Sequence, residues 1–580
     1  MARALLICYR RPAAVEATEA DILGLIERIT PDNAPRPRPR IVRQDGVVAA
    51  VFAGGARSAA LDGGSVRLGV LASPSSDWSR PLAPVPDGSF ALCRVSADLV
   101  ELVADAGATR TLWYVLTDDA LVASTSQRAI AALLGDFEPN RDAAAWMLSS
   151  GTLGPGHGWD RRVRPVPPAG RVVLDRRTWR LHVRSSAPET DAERPADDEA
   201  ALGRALTDAV DRAAAAPPLD YARWIVPLSG GVDSRGVLLA LLRANRADRP
   251  RAVTWGRPAA LGQRDGDAVV ARAVADRVGV EHAFFPVELS DAASPRTVLD
   301  RFFAAGEGRV AALSGYLDGF AVWQTLSEQE VDGIVRGDEA FGWKPVASER
   351  DVRHKVSFTV LEDIVDERAR SAFELPRQEI PEELSRRGGE SLEDWRDRLY
   401  RQYRLPCMLS GLTDLKTPYV EVANPLLYSS VLAEARRLPE ALRTDKRLWR
   451  RLVESWLPGV PFATRSAETP IADALADPRL LEIFVEELSF NPAAELLGRE
   501  AAKALRAELE ARLRRERRAL SRRLAALPAG RRLLRSRRGG RLDAAVLGFR
   551  ATIVARMFAL LREDALFLGR AARQPRETGT

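Results

Sequence analysis

The residues best suited to chemistry stand in one short run, Ser229-Gly230-Gly231-Val232-Asp233-Ser234, directly after the apolar stretch Ile225 to Leu228. Gly230 and Gly231 carry no Cβ, so backbone N–H groups can close around phosphate oxygens, and a following helix adds the positive end of its dipole. Ser229 and Ser234 add hydroxyl donors. A lysine-bearing phosphate loop would place Gly-Lys-Ser/Thr at the helix start. Here Asp233 occupies the turn, where it would repel phosphate unless a divalent cation intervened, so Mg²⁺ is implied. An isolated Gly-Gly pair most simply makes a tight turn; the strand, loop and helix context of the whole run favours the anion cradle.

A second run, Arg336-Gly337-Asp338-Glu339-Ala340-Phe341-Gly342-Trp343, follows the strand-like Val331 to Val335. Ligands of open α/β sheets sit at such strand ends. Asp338 is expected to share the cation with Asp233, and Glu339 to serve in proton transfer. Asp-Glu pairs are also common on solvated turns, so the strand that precedes this one is what distinguishes it.

These loops need a scaffold to bring them together. From Tyr221 the pattern alternates between strand and helix: Trp224 to Leu228, Gly236 to Leu242, Ala252 to Trp255, Ala268 to Val278 and His282 to Val287. That alternation predicts a doubly wound parallel sheet. A helix pattern from Tyr316 to Leu326 precedes the strand Val331 to Val335, and the charged, helical region from Val346 to Arg404 reads as a lid or insertion. Before residue 186 the chain reads as short strands, at Val47 to Phe52, Val66 to Leu71, Phe90 to Val95, Leu99 to Val103 and Leu121 to Ser124. Two helical stretches, Ser126 to Leu134 and Asp142 to Leu148, interrupt them. The polar, proline-bearing stretch Ala187 to Asp198 marks a boundary, and a helix runs from about Glu199 to Ala215. The division is therefore residues 1–186, 199–475 and a basic helical extension, 476–580.

The bulk composition bounds the class. A chain of 580 residues with 46% hydrophobic content can bury more than one core. Cys8, Cys93 and Cys407 form no C-x-x-C pair, which indicates neither a disulfide framework nor a zinc knuckle and fits a reducing compartment. No apolar run approaches the roughly 20 residues that span a bilayer, and Ala4 to Tyr9 is too short for a signal-peptide core. A cytoplasmic protein without a membrane partner is expected. Residues 501–550 hold 16 Lys and Arg against 4 Asp and Glu, so the net charge of +6 conceals one basic segment on an otherwise acidic chain. Solvated helices account for that segment, and nucleic acid is not expected as a partner.

The run Ser-Gly-Gly-Val-Asp-Ser resembles the pyrophosphate loop of ATP pyrophosphatases that release AMP and pyrophosphate, among them asparagine synthetases, β-lactam synthetases and lasso peptide cyclases. The second run looks like a shortened form of the asparagine-synthetase Gly-Glu-Gly-Ala/Ser-Asp-Glu-Leu-Phe-Gly-Gly-Tyr. It keeps Asp338, Glu339, Phe341 and Gly342 but lacks the first Glu, one of the usual acid/base groups. Glu421-Val422-Ala423-Asn424-Pro425-Leu426-Leu427 resembles Glu-Val-Arg-Val-Pro-Phe-Leu, and Asp445-Lys446-Arg447-Leu448-Trp449-Arg450 resembles the Lys-x-x-Leu-Arg helix. The resemblance spans about residues 80–470. It implies ATP and Mg²⁺ as cofactors, with Leu228, Ser229, Gly230, Gly231, Asp233, Ser234 and Gly337 binding the nucleotide. It assigns the metal to Asp233 and Asp338, and catalysis to Lys446 and Glu339.

Asp87 to Leu92, Asp105 to Tyr114 and Ser124 to Ala129 look like parts of an N-terminal-nucleophile glutaminase, an α+β sandwich, though the resemblance is weaker here. That chemistry needs an N-terminal cysteine whose free amine acts as its base. The sequence opens Met1-Ala2, and Asn33 is the sole asparagine of the first hundred residues, so the glutamine-binding Asn-Gly-Glu has no counterpart. The domain is therefore expected to be degenerate, and the attacking amine to come from the substrate itself. The reading that follows is ATP-dependent amide formation through an acyl-adenylate: macrolactam closure on a peptide, as in lasso peptide cyclases, with leader-processing proteins as possible partners. Two alternatives remain open: an asparagine synthetase using free ammonia, and a nucleotide- or RNA-binding protein without ligase activity.

Overall fold

The computed structural model describes residues 3–11, 17–53, 56–72, 77–185, 198–244, 249–290, 292–525 and 542–571. The expected break at Ala187 to Asp198 lies almost wholly outside them.

Two six-stranded antiparallel sheets form the N-terminal region. All five strands expected there are present, at Val47–Val51, Ser65–Leu71, Gly88–Val95, Leu99–Ala104 and Ala120–Ser124. The strand Ala4–Tyr9 lies at the centre of the first sheet, flanked by Val47–Val51 and Ala120–Ser124. Its alternate residues serve two cores. Ala4, Leu6 and Cys8 meet the second sheet, while Leu5 and Ile7 join the cluster holding the helices Glu19–Ile29 and Gln127–Leu134. Burial on both faces is why that strand reads as an unbroken apolar run.

The second unit is a five-stranded parallel sheet in the order His282–Pro286, Arg251–Gly256, Trp224–Pro227, Gly333–Val335, Glu421–Ala423. Val226, Ala252, Val335 and Ala423 turn to one face, against the helices Glu199–Ala215, Val232–Ala244 and Arg447–Trp456. Ile225, Val253, Ile334 and Val422 turn to the other, against Pro295–Gly306 and Ala321–Glu328. Strand order reverses between Trp224–Pro227 and Gly333–Val335, so the loops leaving these two neighbours diverge and open a crevice at their carboxyl ends. The α/β class with an antiparallel N-terminal sandwich is the fold observed.

The C-terminal residues depart from expectation. Ala544–Leu568 is long and apolar enough to cross a membrane, contrary to the absence of such a run inferred from the sequence, but 67% of its apolar window is buried within the protein. A soluble-core helix passes the same length test. Asp564, fully buried on it, accepts Arg128 Nε at 2.6 Å and Arg28 Nε at 2.7 Å. Arg550 Nη1 donates to the carbonyls of Leu148 and Ser149, at 2.9 and 2.6 Å, where the helix Arg141–Ser150 ends. This helix is thus built into the N-terminal unit rather than solvated. Part of the basic stretch, residues 526–541, lies outside the described residues, while its first half forms the helix Arg499–Ala525.

The N-terminal motifs also serve this assembly. Asp87 accepts the N–H groups of Ser429 and Ser430, at 2.7 and 3.1 Å, and so caps the helix Ser429–Arg437 across the interface. Ser89 Oγ accepts Asn424 N at 2.9 Å, and Arg110 is ion-paired with Glu421 on the last parallel strand. Asp105 is saturated by Phe90 N, Gly107 N and Thr109 Oγ1, at 2.9, 2.9 and 2.6 Å. Burial pushes its carboxyl up to about 6 despite those donors.

Candidate active site

The crevice at the strand ends is a cleft of about 230 Å³. Leu228, Ser229, Asp233, Ser234, Gly337 and Asp338 line it together, although Ser229 and Asp338 are 109 positions apart. Gly337 explains the closeness of the two loops: a Cβ there would lie 2.8 Å from both the Asp233 carbonyl carbon and the Ser234 nitrogen. Any side chain would force the loops apart. Gly230 is equally constrained, since its Cβ would collide with Ala463 and Val270.

The first loop is tied before any ligand enters. Ser229 N donates to Ser234 Oγ at 3.0 Å, the two hydroxyls are 3.0 Å apart, and Gly231 N donates to Ser229 Oγ at 3.2 Å. Gly230 and Gly231 belong to this loop without lining the cleft. Gly230 N donates to Asp267 Oδ1 at 3.1 Å, and Asp267 Oδ2 accepts Ala467 N at 3.3 Å. Asp267 thus joins the loop to the Ser466-Ala467-Glu468 wall opposite, and burial raises its carboxyl.

Lys446 and Glu339 stand behind this surface as a linear ion cluster. Lys446 Nζ is 2.6 Å from Asp233 Oδ2 and 2.7 Å from Glu339 Oε1, and lies 5.5 Å from the Trp343 ring centre. Trp449 Nε1 donates to the other Asp233 oxygen at 3.1 Å. Burial pulls the ammonium down, but the two carboxylates outweigh it and hold Lys446 above its ordinary range. Glu339 is buried, and its second oxygen accepts Phe341 N. Burial raises it to about 7, with Lys446 opposing. Neither Glu339 nor Lys446 lines the cleft itself; Glu339 borders a small adjoining space with Ala340, Gly342, Asp397 and Tyr400.

The backbone around Lys446 is held off its relaxed path. Asp445 and Lys446 adopt φ of 57° and 55°, left-handed values that cost non-glycine residues about 1–3 kcal/mol each. Asp445 N donates to Trp343 O at 2.8 Å. Gly342, with φ 118°, allows the second loop to touch the Arg443 carbonyl, where a Cβ would collide. Arg443 is fixed in turn by Asp397 and Asp394, each at 2.5 Å. The region expected to be a lid supplies this anchor, with Asp397 also gripped by Arg396 at 2.7 and 2.9 Å.

Of the two aspartates, only Asp338 keeps an oxygen for a divalent cation, since Lys446 and Trp449 take both oxygens of Asp233. Asp338 Oδ1 is 3.0 Å from Arg336 Nη2, while its Oδ2 is buried without a hydrogen-bond partner. An orphaned carboxylate oxygen facing an anion cradle is what a hard cation would satisfy. Arg336, Asp267, Trp255 and Glu468 line the cleft but were not singled out from the sequence. No spacing signal links Glu468 to a loop more than two hundred residues earlier; only the return of the chain after Arg447–Trp456 brings it there.

The fold is an α/β domain of doubly wound type with a cleft at its strand ends, carried beside an antiparallel sandwich. Residues 201–411 match the family model described as asparagine synthase, which supports an asparagine-synthetase-like assignment for this domain. Proteins of that family use ATP, generally with Mg²⁺, and the match supports ATP-dependent amide-bond formation in general. It covers just over a third of the chain and ends before Glu421 and Lys446. No curated protein matches the sequence.

Proposed function

We propose that this chain is an AMP-forming carbon–nitrogen ligase that activates a carboxylate and passes it to an amine of the same molecule, closing a macrolactam on a peptide. The observation that carries this reading is the Asp233–Lys446–Glu339 cluster, which sets one cation at the junction of the two phosphate-side loops. In the first step the substrate carboxylate oxygen bonds to the α-phosphorus of ATP as the bond to pyrophosphate breaks. In the second the amine nitrogen attacks the acyl carbon, AMP departs and the amine loses a proton to solvent. Asp338, and Asp233 on release of Lys446 or Trp449, would hold Mg²⁺, which would supply charge neutralisation for the phosphates.

This chain's own residues do the rest. The N–H groups of Ser229, Gly230 and Gly231 already donate to Ser234 Oγ, Asp267 and Ser229 Oγ, so a phosphate would exchange those bonds or sit at the start of the helix Val232–Ala244. Lys446, held charged by two carboxylates, supplies positive potential where negative charge develops, and Glu339 and Trp343 fix its position. The choice of an internal amine rests on the N-terminal unit. Cys8 lies buried in mid-strand with burial raising its thiol, and burial pushes Cys93 up to about 12, so neither offers a thiolate for glutamine hydrolysis.

The test is pyrophosphate release with ATP, Mg²⁺ and candidate linear peptides, with products read by mass. Loss of one water from the peptide, abolished by Asp233→Ala or Lys446→Ala, is the expected outcome. Asparagine made from aspartate and ammonia at comparable rates would overturn macrolactam closure; nucleotide binding with no pyrophosphate release from any carboxylate would overturn ligase activity.

A further inference from the structure

A second cavity among the described residues is larger than the cleft at the strand ends. It has a volume of about 690 Å³ and lies between the two units, within the roughly 300–1,000 Å³ typical of small-ligand sites. Trp113, Leu153 and Val166 wall it on the N-terminal side, and Leu384, Pro406 and Leu432 on the other. Four arginines line it, Arg309, Arg387, Arg401 and Arg436, against the single carboxylate Glu383. Arg309 is buried, ion-paired with Asp414 and positioned 5.1 Å from the Trp113 ring centre. Six prolines contribute to the lining, none with an N–H, and the carbonyls of Pro167, Pro381 and Pro406 already accept Gly170 N, Leu384 N and Ser410 Oγ.

One element joins this chamber to the catalytic cluster. The segment Tyr400–Leu409 is a π-helix, a rare geometry that concentrates at functional sites, and it carries Pro406 within it. Tyr400 borders the small space beside Glu339, Gly342 and Asp397, while Arg401, Gln402, Pro406 and Cys407 border the cavity. Apolar walls would take side chains. Arg309 keeps its Nε buried without a hydrogen-bond partner, a donor suited to a carboxylate or backbone carbonyl, while Arg387, Arg401 and Arg436 already have partners within the protein and add positive potential.

We infer that this interdomain cavity binds an apolar peptide segment bearing a carboxylate, the part of the peptide substrate remote from the reacting centre. The inference deepens the ligase reading and borrows its peptide from it, but binding needs no turnover, so the two fail separately. The probe is the peptide acetyl-Leu-Val-Phe-Asp-amide, titrated into the full-length chain without ATP and followed by calorimetry. The controls are its Asn counterpart and dodecanoate.

Saturable binding at micromolar concentration is expected, at least tenfold weaker for the Asn peptide. Cys407→Trp, which fills the chamber, should abolish it. Should that variant fail to fold, the double variant Arg387→Glu/Arg436→Glu, at two exposed positions, should weaken binding at least tenfold while leaving ATP binding unchanged. Equal affinity for the Asp and Asn peptides, insensitivity to the charge reversals, absence of binding, or dodecanoate binding more tightly than the peptide would each overturn the inference. Peptide binding with no pyrophosphate release would instead count against the ligase reading alone.

Discussion

Replacing Glu339 with Gln should uncouple stability from activity in a pH-dependent way. The carboxyl is raised by burial from an ordinary 4.5 to about 7. A carboxyl raised on folding binds more protons in the folded state, so its stabilising contribution is full below about 4.5 and is lost as pH rises through about 7. A shift of that size corresponds to about 3 kcal/mol as an upper bound, at 1.36 kcal/mol per unit. Glutamine cannot ionise. At pH 5 the wild-type carboxyl is mostly protonated and the variant should unfold within about 1 kcal/mol of it, the worth of one hydrogen bond exchanged among Phe341 N and Lys446. At pH 8 the variant should be the more stable by about 1–3 kcal/mol, yet release pyrophosphate about 10–100-fold more slowly, because Lys446 keeps only Asp233 as a partner. Urea unfolding at pH 5, 6, 7 and 8, paired with a pyrophosphate assay at pH 8, reads both quantities. Parallel stability profiles for the two proteins would refute the placement of a raised carboxyl at this position.

Three further outcomes follow from the same geometry. Lys446→Met should lower pyrophosphate release about 10²–10³-fold, the usual loss when a charge-stabilising donor is removed, while calorimetry shows ATP binding weakened less than tenfold. Gly337→Ala must displace the Asp233 backbone from a 2.8 Å approach, so it should cost about 1–3 kcal/mol in urea unfolding and raise the ATP dissociation constant at least tenfold. Asp564→Asn leaves Arg128 buried without its charge partner and should destabilise the chain by about 3–5 kcal/mol, seen as a lowered midpoint in thermal unfolding.

The sequence by itself determined the elements and the phosphate loop, because both are written in short-range signals. Alternation at period two marks Val66 to Leu71, and a small-residue run between an apolar strand and a helix marks Ser229 to Ser234. The strand end at Val335 marked Asp338, and resemblance added Lys446, which spacing alone would have left as a helix-start lysine. What it could not supply was the partner of each charge. Glu339 reads as a free acid beside Asp338, yet the left-handed backbone at Asp445 and Lys446 carries the lysine onto it and buries both. Asp87 and Arg128 read as glutaminase relics, whereas the fold uses them to cap a helix and clasp Asp564, more than three hundred residues downstream in each case. The helix Ala544–Ala571 reads in the sequence only as part of a basic helical extension, which misses both its apolar length and its burial. Local periodicity records which side chains avoid water; which buried surface they meet, and which opposite charge neutralises them, depends on contacts between distant segments that no window of sequence contains.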